Sequence, residues 1–317
     1  MTITATAHAK FILSGEHFVV DGAHSVVIPA DCFYTTVTFS EHFPSVPEVN
    51  CIFECDQPAK NPRIYKKQIL SLLFNACEIL GLNAGLLNGL TCEVKTNIPP
   101  GQGAGSSSAL CQALMEAMIK AFIYTPVHPN YLFWFGMQLE NTFHGPVSGI
   151  DNAAIAYQKM LYYQRDEQPI VLYPTQPLDF VVGTTGPRCS DISPYDIIKK
   201  LKTNHPIEYN RYKSDMDLSA SRMVAAICDR HPISYLPTIG EHMFDSFKIL
   251  QDIGLIPDDV KPALQTALEL AVPSVRMTGA GGGGFLISLV GNESERIALM
   301  NAWYSLGLKS IKHIHLE

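Results

Sequence analysis

The chain has 317 residues, of which 47% are hydrophobic and 17% are charged, and its formal net charge is −7. This length and apolar content predict two ordinary domains rather than one large domain. The negative charge argues against general binding to nucleic acid or to anionic membranes. An anionic ligand would therefore have to be attracted by local groups.

The cysteines and the N-terminal stretch indicate the compartment. Eight cysteines are scattered along the chain without a pair of C-x-x-C motifs, which argues against a structural zinc site and favours free thiols in a reducing compartment. "MTITATAHAKFILSGEH" is too polar for a signal peptide, and no window is long and apolar enough to span a bilayer. We expect a cytoplasmic protein.

The N-terminal half alternates strand and helix patterns. Apolar runs on either side of Asp21-Gly22 predict a β-hairpin. Alternation in "CFYTTVTFS" predicts a third strand, and helical spacing predicts a helix from Ile64 to Leu80 that ends at Gly81. The remaining patterns predict a strand in "GLTCEVKTNI", a helix from the serines to Phe122 and a helix over 129–143, after which "GIDNAAIAYQKMLYYQ" leads into a strand pair.

The pattern changes near Pro174–Pro177. A strand in "LDFVVGTT" is followed by mostly helical sequence over 191–271, and the chain then reads as strand, glycine run, strand, helix and strand. We predict an α+β fold with a domain boundary near residue 177, which gives domains of residues 1–177 and 178–317.

A loop rich in glycine and serine, "IPPGQGAGSSSAL", precedes the helix that ends at Phe122. The start of a helix offers free N–H groups and a partial positive charge, and glycines let the backbone close around a phosphate. The serine hydroxyls could cap the helix or reach a phosphate-bound metal. The loop lacks the lysine of a P-loop and the glycine spacing of a dinucleotide fold. An ordinary loop with a serine N-cap stays open as the alternative.

A second glycine run, "TGAGGGGF", covers Gly279 to Gly284. It satisfies G-x-G-x-x-G, but a predicted strand follows it where a dinucleotide fold requires a helix. Such a run costs chain entropy, so close approach of the backbone to a ligand is favoured over a long hairpin turn.

Three segments resemble, in order, the motifs of the GHMP kinase superfamily, which includes galactokinases, homoserine kinases, mevalonate kinases and phosphomevalonate kinases. They are "KFILSGEHFVVDG", "PPGQGAGSSSA" and "MTGAGGGGF", although Ala104 stands where leucine is usual and Ser108 where alanine is usual. The resemblance implies a ribosomal-S5-domain-2-like N-terminal domain over 1–177, with the ATP loop and catalytic base, and a ferredoxin-like C-terminal domain over 178–317. It also implies that ATP is bound by Pro100, Gly101, Gly103, Ala104, Gly105, Ser106, Ser107 and Ser108.

Within the superfamily, "GEHFVVDG" and "LENTFHGPVSGIDNA" are most similar to mevalonate kinases. That resemblance implies MgATP-dependent phosphorylation of the C5 hydroxyl of mevalonate. It makes Asp151 the catalytic base and Lys10 the cation that lowers the pKa of this carboxylate and of the substrate hydroxyl. Glu140 and Ser107 are the implied Mg²⁺ ligands. The implied substrate-binding residues are Lys10, Glu16, His17, Ser148, Asp151, Ser190, Gly279, Ala280 and Gly281.

Each of these residues has an ordinary structural interpretation when taken alone. Lys10 could be an exposed strand lysine, Glu140 a solvated helix carboxylate, and Asp151 an N-cap. His17 and His144 could be hydrogen-bonded structural histidines. His313 and His315 share one face of the last predicted strand, but a metal site there would need further ligands.

Alternatives of function also stay open. "VGTTGPRCSD" departs from the mevalonate kinase pattern, with Gly186 where lysine is usual, so another GHMP kinase, acting on phosphomevalonate or a sugar, is the second interpretation. A non-catalytic metabolite-binding regulator is the third. The expected partners are mevalonate and ATP, without nucleic acid or membrane, and the resemblance implies a homodimer.

Overall fold

The computed structural model describes residues 2–41, 47–55, 62–145, 147–187, 193–230 and 234–317. Those residues form ten strands and nine α-helices. In chain order they are β1 Thr2–Ser14, β2 Ser25–Glu41, β3 Glu48–Phe53, α1 Pro62–Ile79, β4 Leu90–Thr96, α2 Ser106–Phe122, α3 Pro129–His144, α4 Ile150–Tyr157, β5 Leu161–Tyr163, β6 Ile170–Val171, β7 Leu178–Thr184, α5 Pro194–Asn204, α6 Pro206–Ile227, α7 Tyr235–Asp252, α8 Lys261–Glu269, β8 Ser274–Met277, β9 Phe285–Val290, α9 Glu293–Ser305 and β10 Lys309–Leu316.

This order confirms the predicted α+β class and most of the predicted elements. One prediction was wrong: the separate strand predicted in "CFYTTVTFS" is the second half of β2. The predicted hairpin does pair β1 with β2, but a 3₁₀ turn at Phe18–Asp21 connects the strands, with Gly22 in the left-handed conformation after it.

The chain forms two compact units. The first unit takes residues 1–10, 29–100 and 105–158, and the second takes residues 11–28, 101–104 and 159–317. These units divide the chain at other points than residue 177 because β1 and β2 contribute residues to both. The boundary at 177 concerns the two family domains and stays a prediction.

In the first unit, β4 lies between β2 and β3. It pairs antiparallel with Thr35–Glu41 of β2 and parallel with β3. Helix α2 packs against α1, α3 and α4. Its apolar residues are buried on nearly all sides, including Ala109, Ala113 and Met118, which is typical of a helix enclosed by other elements. The start of α2 is thereby fixed against its neighbours.

In the second unit, four antiparallel strands form a sheet in the order β10-β7-β9-β8. The inner strands β7 and β9 are almost continuously buried, whereas most residues of β10 are half-buried or exposed, as expected at a sheet edge. Helix α9 packs on this sheet, and the indole N–H of its buried Trp303 donates to the carbonyl of Ala263 in α8 at 3.0 Å. None of the helices in the described part of the chain combines the length and the apolar composition that crossing a bilayer requires.

Candidate active site

The glycine–serine loop ends where α2 begins, at Ser106, as predicted. The N-cap is Gly105 in the left-handed conformation (φ +79°), and no side chain caps the helix, so the serine N-cap alternative was wrong. A Cβ on Gly105 would lie 3.2 Å from two methylene carbons of Lys10. Glycine therefore both permits the turn and lets the loop approach that lysine. The first N–H groups of α2 have no acceptor within the helix and can face an anion.

Glu140, on α3, is a buried carboxylate beside the start of α2. Its side chain is 5% exposed, and the Ser108 hydroxyl lies 2.9 and 2.7 Å from its two oxygens and donates to them. Burial and then the charge of Asp151 raise the pKa of Glu140, while hydrogen bonds from Ser108, Ser107 and Asn152 act in the opposite direction. The site thus holds a carboxylate in a position where its negative charge is poorly solvated, which favours binding of a cation.

Asp151 forms an ion pair with Lys10. The Lys10 ammonium lies 3.0 Å from the Asp151 carboxylate, with side-chain exposures of 3% and 31% respectively. The N-cap of α4 is Gly149, in the left-handed conformation, so the interpretation of Asp151 as an N-cap was also wrong. A carboxylate that is one-third exposed can accept a hydrogen bond from a ligand while the buried ammonium holds it in place.

We refer to Lys10, Ser107, Ser108, Glu140 and Asp151 as the Lys10–Asp151 cluster. All five residues belong to the first unit. After burial, the charge of Asp151 also contributes to the raised pKa of Glu140. Two carboxylates, one ammonium and two hydroxyls beside the start of a helix can hold a divalent cation and accept a proton.

A second group of predicted residues lies in the second unit, around Glu16. Glu16 is 1% exposed, and its carboxylate accepts a hydrogen bond of 2.6 Å from the fully buried guanidinium of Arg276. Arg276 also donates to the hydroxyl of Ser246 at 2.7 Å and to the carbonyl oxygens of Met277 and Leu13. The carboxylate of Glu16 is therefore held in one orientation by a network that the motifs did not predict.

His17 and the second glycine run are also in contact. The ring nitrogen Nε2 of His17 lies 2.8 Å from the carbonyl oxygen of Ala280. A carbonyl can only accept, so Nε2 carries the proton. Nearby, the hydroxyl of Thr278 bonds to both the N–H and the carbonyl of Ile12, at 3.0 and 2.9 Å. These bonds tie the glycine run to the end of β1.

The glycine run approaches the chain's own backbone, a reason for glycine that the sequence did not reveal. At Gly284 (φ +107°), a Cβ would lie 2.4 Å from the carbonyl oxygen of Gln102. At Gly279, a Cβ would lie 3.3 Å from Gly103. The side-chain amide of Gln102 in turn accepts a hydrogen bond of 2.5 Å from Thr184 on β7. The predicted loop residues Gly101–Ala104 and the glycine run are thereby packed together within the second unit.

The other predicted residues have varied positions. Pro100, Ser106 and Ser148 are half-buried, Gly101 is exposed and Ala104 is buried. Gly281 packs against Leu255, where a Cβ would lie 3.0 Å from the carbonyl oxygen. Ser190 and the side chain of His144 lie outside the described residues.

The sequence analysis missed two residues that contact predicted elements, Arg276 on Glu16 and Thr278 on β1. It named Ser108 as an ATP-binding residue but did not predict its contact with Glu140. For Arg276 and Thr278 a signal was available. They stand in "SVRMTGAG", where a charged residue interrupts a buried strand directly before a glycine run.

Two family descriptions match segments of this chain. The family description "GHMP kinases N terminal domain" matches residues 67–159, and "GHMP kinases C terminal" matches residues 233–307, together more than half of the chain. The chain belongs to the GHMP kinase family. The first match contains the start of α2, Glu140 and Asp151.

Individual GHMP kinases are similar over nearly the whole chain. A mevalonate kinase of Thermococcus sibiricus is 26% identical and covers 94% of this chain and 92% of its own. The crystal structure of L. major mevalonate kinase in complex with R-mevalonate superposes with a TM-score of 0.84 at 20% identity, covering 99% of this chain and 95% of that one. Streptococcus pneumoniae phosphomevalonate kinase, in complex with phosphomevalonate and AMPPNP, gives a TM-score of 0.76 at 17% identity, covering 99% and 100%. These two structures show the fold.

Proposed function

We propose that this protein is an ATP-dependent kinase that phosphorylates the C5 hydroxyl of mevalonate and releases 5-phosphomevalonate and ADP. The observation that carries the proposal is the ion pair of the buried Lys10 with the partly exposed Asp151, together with the buried Glu140, whose pKa the charge of Asp151 helps to raise. Phosphoryl transfer requires neutralised phosphates, an aligned hydroxyl and an acceptor for its proton. The Lys10–Asp151 cluster contains a residue suited to each task.

In this proposal Asp151 is the base. The hydroxyl oxygen of the substrate attacks the γ-phosphorus, the bond from that phosphorus to the bridging oxygen of ADP breaks, and the hydroxyl proton passes to the Asp151 carboxylate. Lys10 holds this carboxylate in place at 3.0 Å and stabilises negative charge developing on the hydroxyl oxygen. The exposed third of the Asp151 side chain gives the substrate access to it.

ATP is proposed to lie against the glycine–serine loop. The N–H groups at the start of α2 can donate to its phosphate oxygens, and the glycines leave room for close approach. Pro100, Gly101, Gly103, Ala104, Gly105, Ser106, Ser107 and Ser108 are the residues proposed to contact the nucleotide.

The donor set of the cluster fits Mg²⁺, which prefers hard oxygen ligands. Glu140 and Ser107 are the proposed ligands. Because Ser108 donates to both oxygens of Glu140, a mutational test of the metal site must also include Ser108. When bound, Mg²⁺ neutralises charge on the transferring phosphate.

The substrate is proposed to contact Glu16, His17, Ser148, Ser190, Gly279, Ala280 and Gly281 besides Lys10 and Asp151. The hydrogen bond from Arg276 orients the carboxylate of Glu16, which can accept a hydrogen bond from a substrate hydroxyl. We further propose a homodimer and a cytoplasmic location. The cytoplasmic location is supported by Cys51, Cys77, Cys92, Cys111 and Cys228, which form no disulfide in the described part of the chain.

The test is ADP release by the purified protein with MgATP, measured with mevalonate, 5-phosphomevalonate, galactose and homoserine as acceptors. Turnover on mevalonate alone supports the proposal. Turnover on another acceptor would replace mevalonate but keep the kinase, and the absence of turnover with ATP bound would favour the regulator.

Asp151→Asn separates the base from the phosphate loop. It should abolish most turnover while the affinity for ATP changes little, because the loop that contacts phosphate is a different segment. Asp166→Asn is the matched control, since the Asp166 side chain is 86% exposed and asparagine tolerates its positive φ of 65°. A parallel loss of ATP affinity in Asp151→Asn would count against the assignment.

A further inference from the structure

A cluster of two histidines and one aspartate lies at the edge of the second-unit sheet. His313 and His315 are two residues apart on β10 and therefore share a face. Antiparallel pairing sets His315 directly opposite Asp179 of β7, and His313 is the diagonal neighbour. The sequence shows only the two histidines, and the sheet register supplies the third side chain.

The two histidine side chains converge on one oxygen atom of Asp179. Nε2 of His313 lies 2.6 Å and Nδ1 of His315 lies 2.9 Å from the same carboxylate oxygen of Asp179. The three potential ligand atoms all lie within 4.8 Å of one another. In a tetrahedral zinc site with bonds of about 2.0 to 2.1 Å, neighbouring ligand atoms are about 3.3 Å apart. The two distances from the histidines to the Asp179 oxygen would have to lengthen by less than about 1 Å to admit an ion.

We propose that Asp179, His313 and His315 form a binding site for a divalent transition-metal ion of the zinc class. Imidazole nitrogen and carboxylate oxygen are ligands that such ions accept, and Zn²⁺ needs four ligands, so water would supply the fourth. The exposures of His315 (44%) and Asp179 (36%) leave room for that water.

The charged groups around His313 and His315 favour metal binding by these histidines. One N–H of Arg296 lies 3.5 Å from Nδ1 of His313. A guanidinium can only donate, so Nδ1 is the acceptor, and Nε2 is the nitrogen that faces Asp179. Such a bond orients the ring in the way that outer partners orient metal-bound histidines. The charge of Arg296 is offset by Glu293 at 2.9 Å, and a carboxylate oxygen of Glu317 lies 3.8 Å from His315.

The site is separate from the proposed kinase function, since none of its three residues belongs to the Lys10–Asp151 cluster or the Glu16 group. All three also lie outside the segments that match the family descriptions.

The test is a titration of untagged, metal-free protein with ZnCl₂ at pH 8, without nucleotide, followed by calorimetry. Co²⁺ serves as a second probe because its visible absorption reports four-coordinate binding. We expect one saturable ion per chain. His315→Gln should weaken the affinity at least about tenfold, and Asp179→Asn/His313→Gln/His315→Gln should remove the site.

His24→Gln is the matched control. His24 also lies 2.8 Å from an aspartate, Asp217, and has a comparable exposure, but that aspartate has no second histidine in the described structure. This variant should bind Zn²⁺ like the original protein. Equal affinity of the original protein and the triple variant would overturn the proposal, as would the absence of saturable binding. Either result would leave the cluster as a set of hydrogen bonds between strands. Circular dichroism of His315→Gln, whose side chain is largely at the surface, checks that lost binding is not lost folding.

Discussion

The Lys10–Asp151 pair predicts an asymmetric effect of mutation on stability, because its two members differ in exposure. Asp151→Asn removes the carboxylate from beside an ammonium that is only 3% exposed. Removing one partner of a buried pair costs about 3 to 5 kcal/mol. Since water already reaches one-third of Asp151, we expect a loss below this range, about 2 to 3 kcal/mol.

Lys10→Met should cost less. Methionine keeps the apolar stem that packs against Gly105, and the carboxylate left behind remains partly hydrated. We expect a loss of about 1 kcal/mol, within the range for ordinary substitutions. The double variant should be more stable than the sum of the two losses predicts, because it no longer buries a charge.

The assay is urea denaturation of the original protein, both single variants and the double variant, followed by far-UV circular dichroism. The coupling energy from this double-mutant cycle should be about 1 to 2 kcal/mol. Activity cannot serve here, since both residues are proposed to act in catalysis. Additivity within about 0.5 kcal/mol, or a larger loss in Lys10→Met than in Asp151→Asn, would refute the reasoning from exposure.

Three further changes test other parts of the site. Ser108→Ala removes a hydroxyl bonded to a buried carboxylate and should lower the free energy of unfolding by about 1.5 to 3 kcal/mol in urea denaturation; no loss would mean that water replaces the hydroxyl. Burial raises the pKa of Glu140, so its contribution to stability is present below the unfolded-state value near 4.5 and is lost as pH rises through the folded-state pKa. Glu140→Gln should remove that decline from the stability–pH profile while abolishing activity, and an unchanged profile would contradict the assignment. Gly284→Ala would place a Cβ 2.4 Å from the carbonyl oxygen of Gln102 and should lower the free energy of unfolding by at least about 2 kcal/mol, measured by thermal or urea unfolding. Gly307→Ala should cost less, because Gly307 has a similar positive φ but open space where the new Cβ would lie.

Most elements could be predicted because apolar periodicity and glycine or proline boundaries are local signals. The exception, β2, shows where such signals fail. Pro29 interrupts the pattern, but the strand continues from Ser25 to Glu41. Residues 25–27 pair with β5 and residues 35–41 pair with β4, so Pro29 lies between the segments of β2 that pair with these two strands. Only the pairing partners reveal this.

For a similar reason, the sequence does not predict which of the three serines contacts Glu140. Successive residues of a helix point about 100° apart, so Ser106, Ser107 and Ser108 face three directions from the first turn of α2. Which hydroxyl meets Glu140, 32 positions later than Ser108, depends on how α3 packs against α2. The residue type was predictable and its partner was not.

The buried charges indicate function more directly than the motifs do. A buried ion pair contributes little net stability, and apolar residues of similar volume often serve the fold as well or better. Lys10 and Arg276 are nevertheless buried, in the apolar stretches "AHAKFIL" and "SVRMT". Stability alone does not account for either residue, whereas the fixed carboxylates that they hold, Asp151 and Glu16, suit a site that must present charge in one orientation. Arg276 is a single charge in an apolar strand directly before the glycine run, and none of the three family motifs includes it.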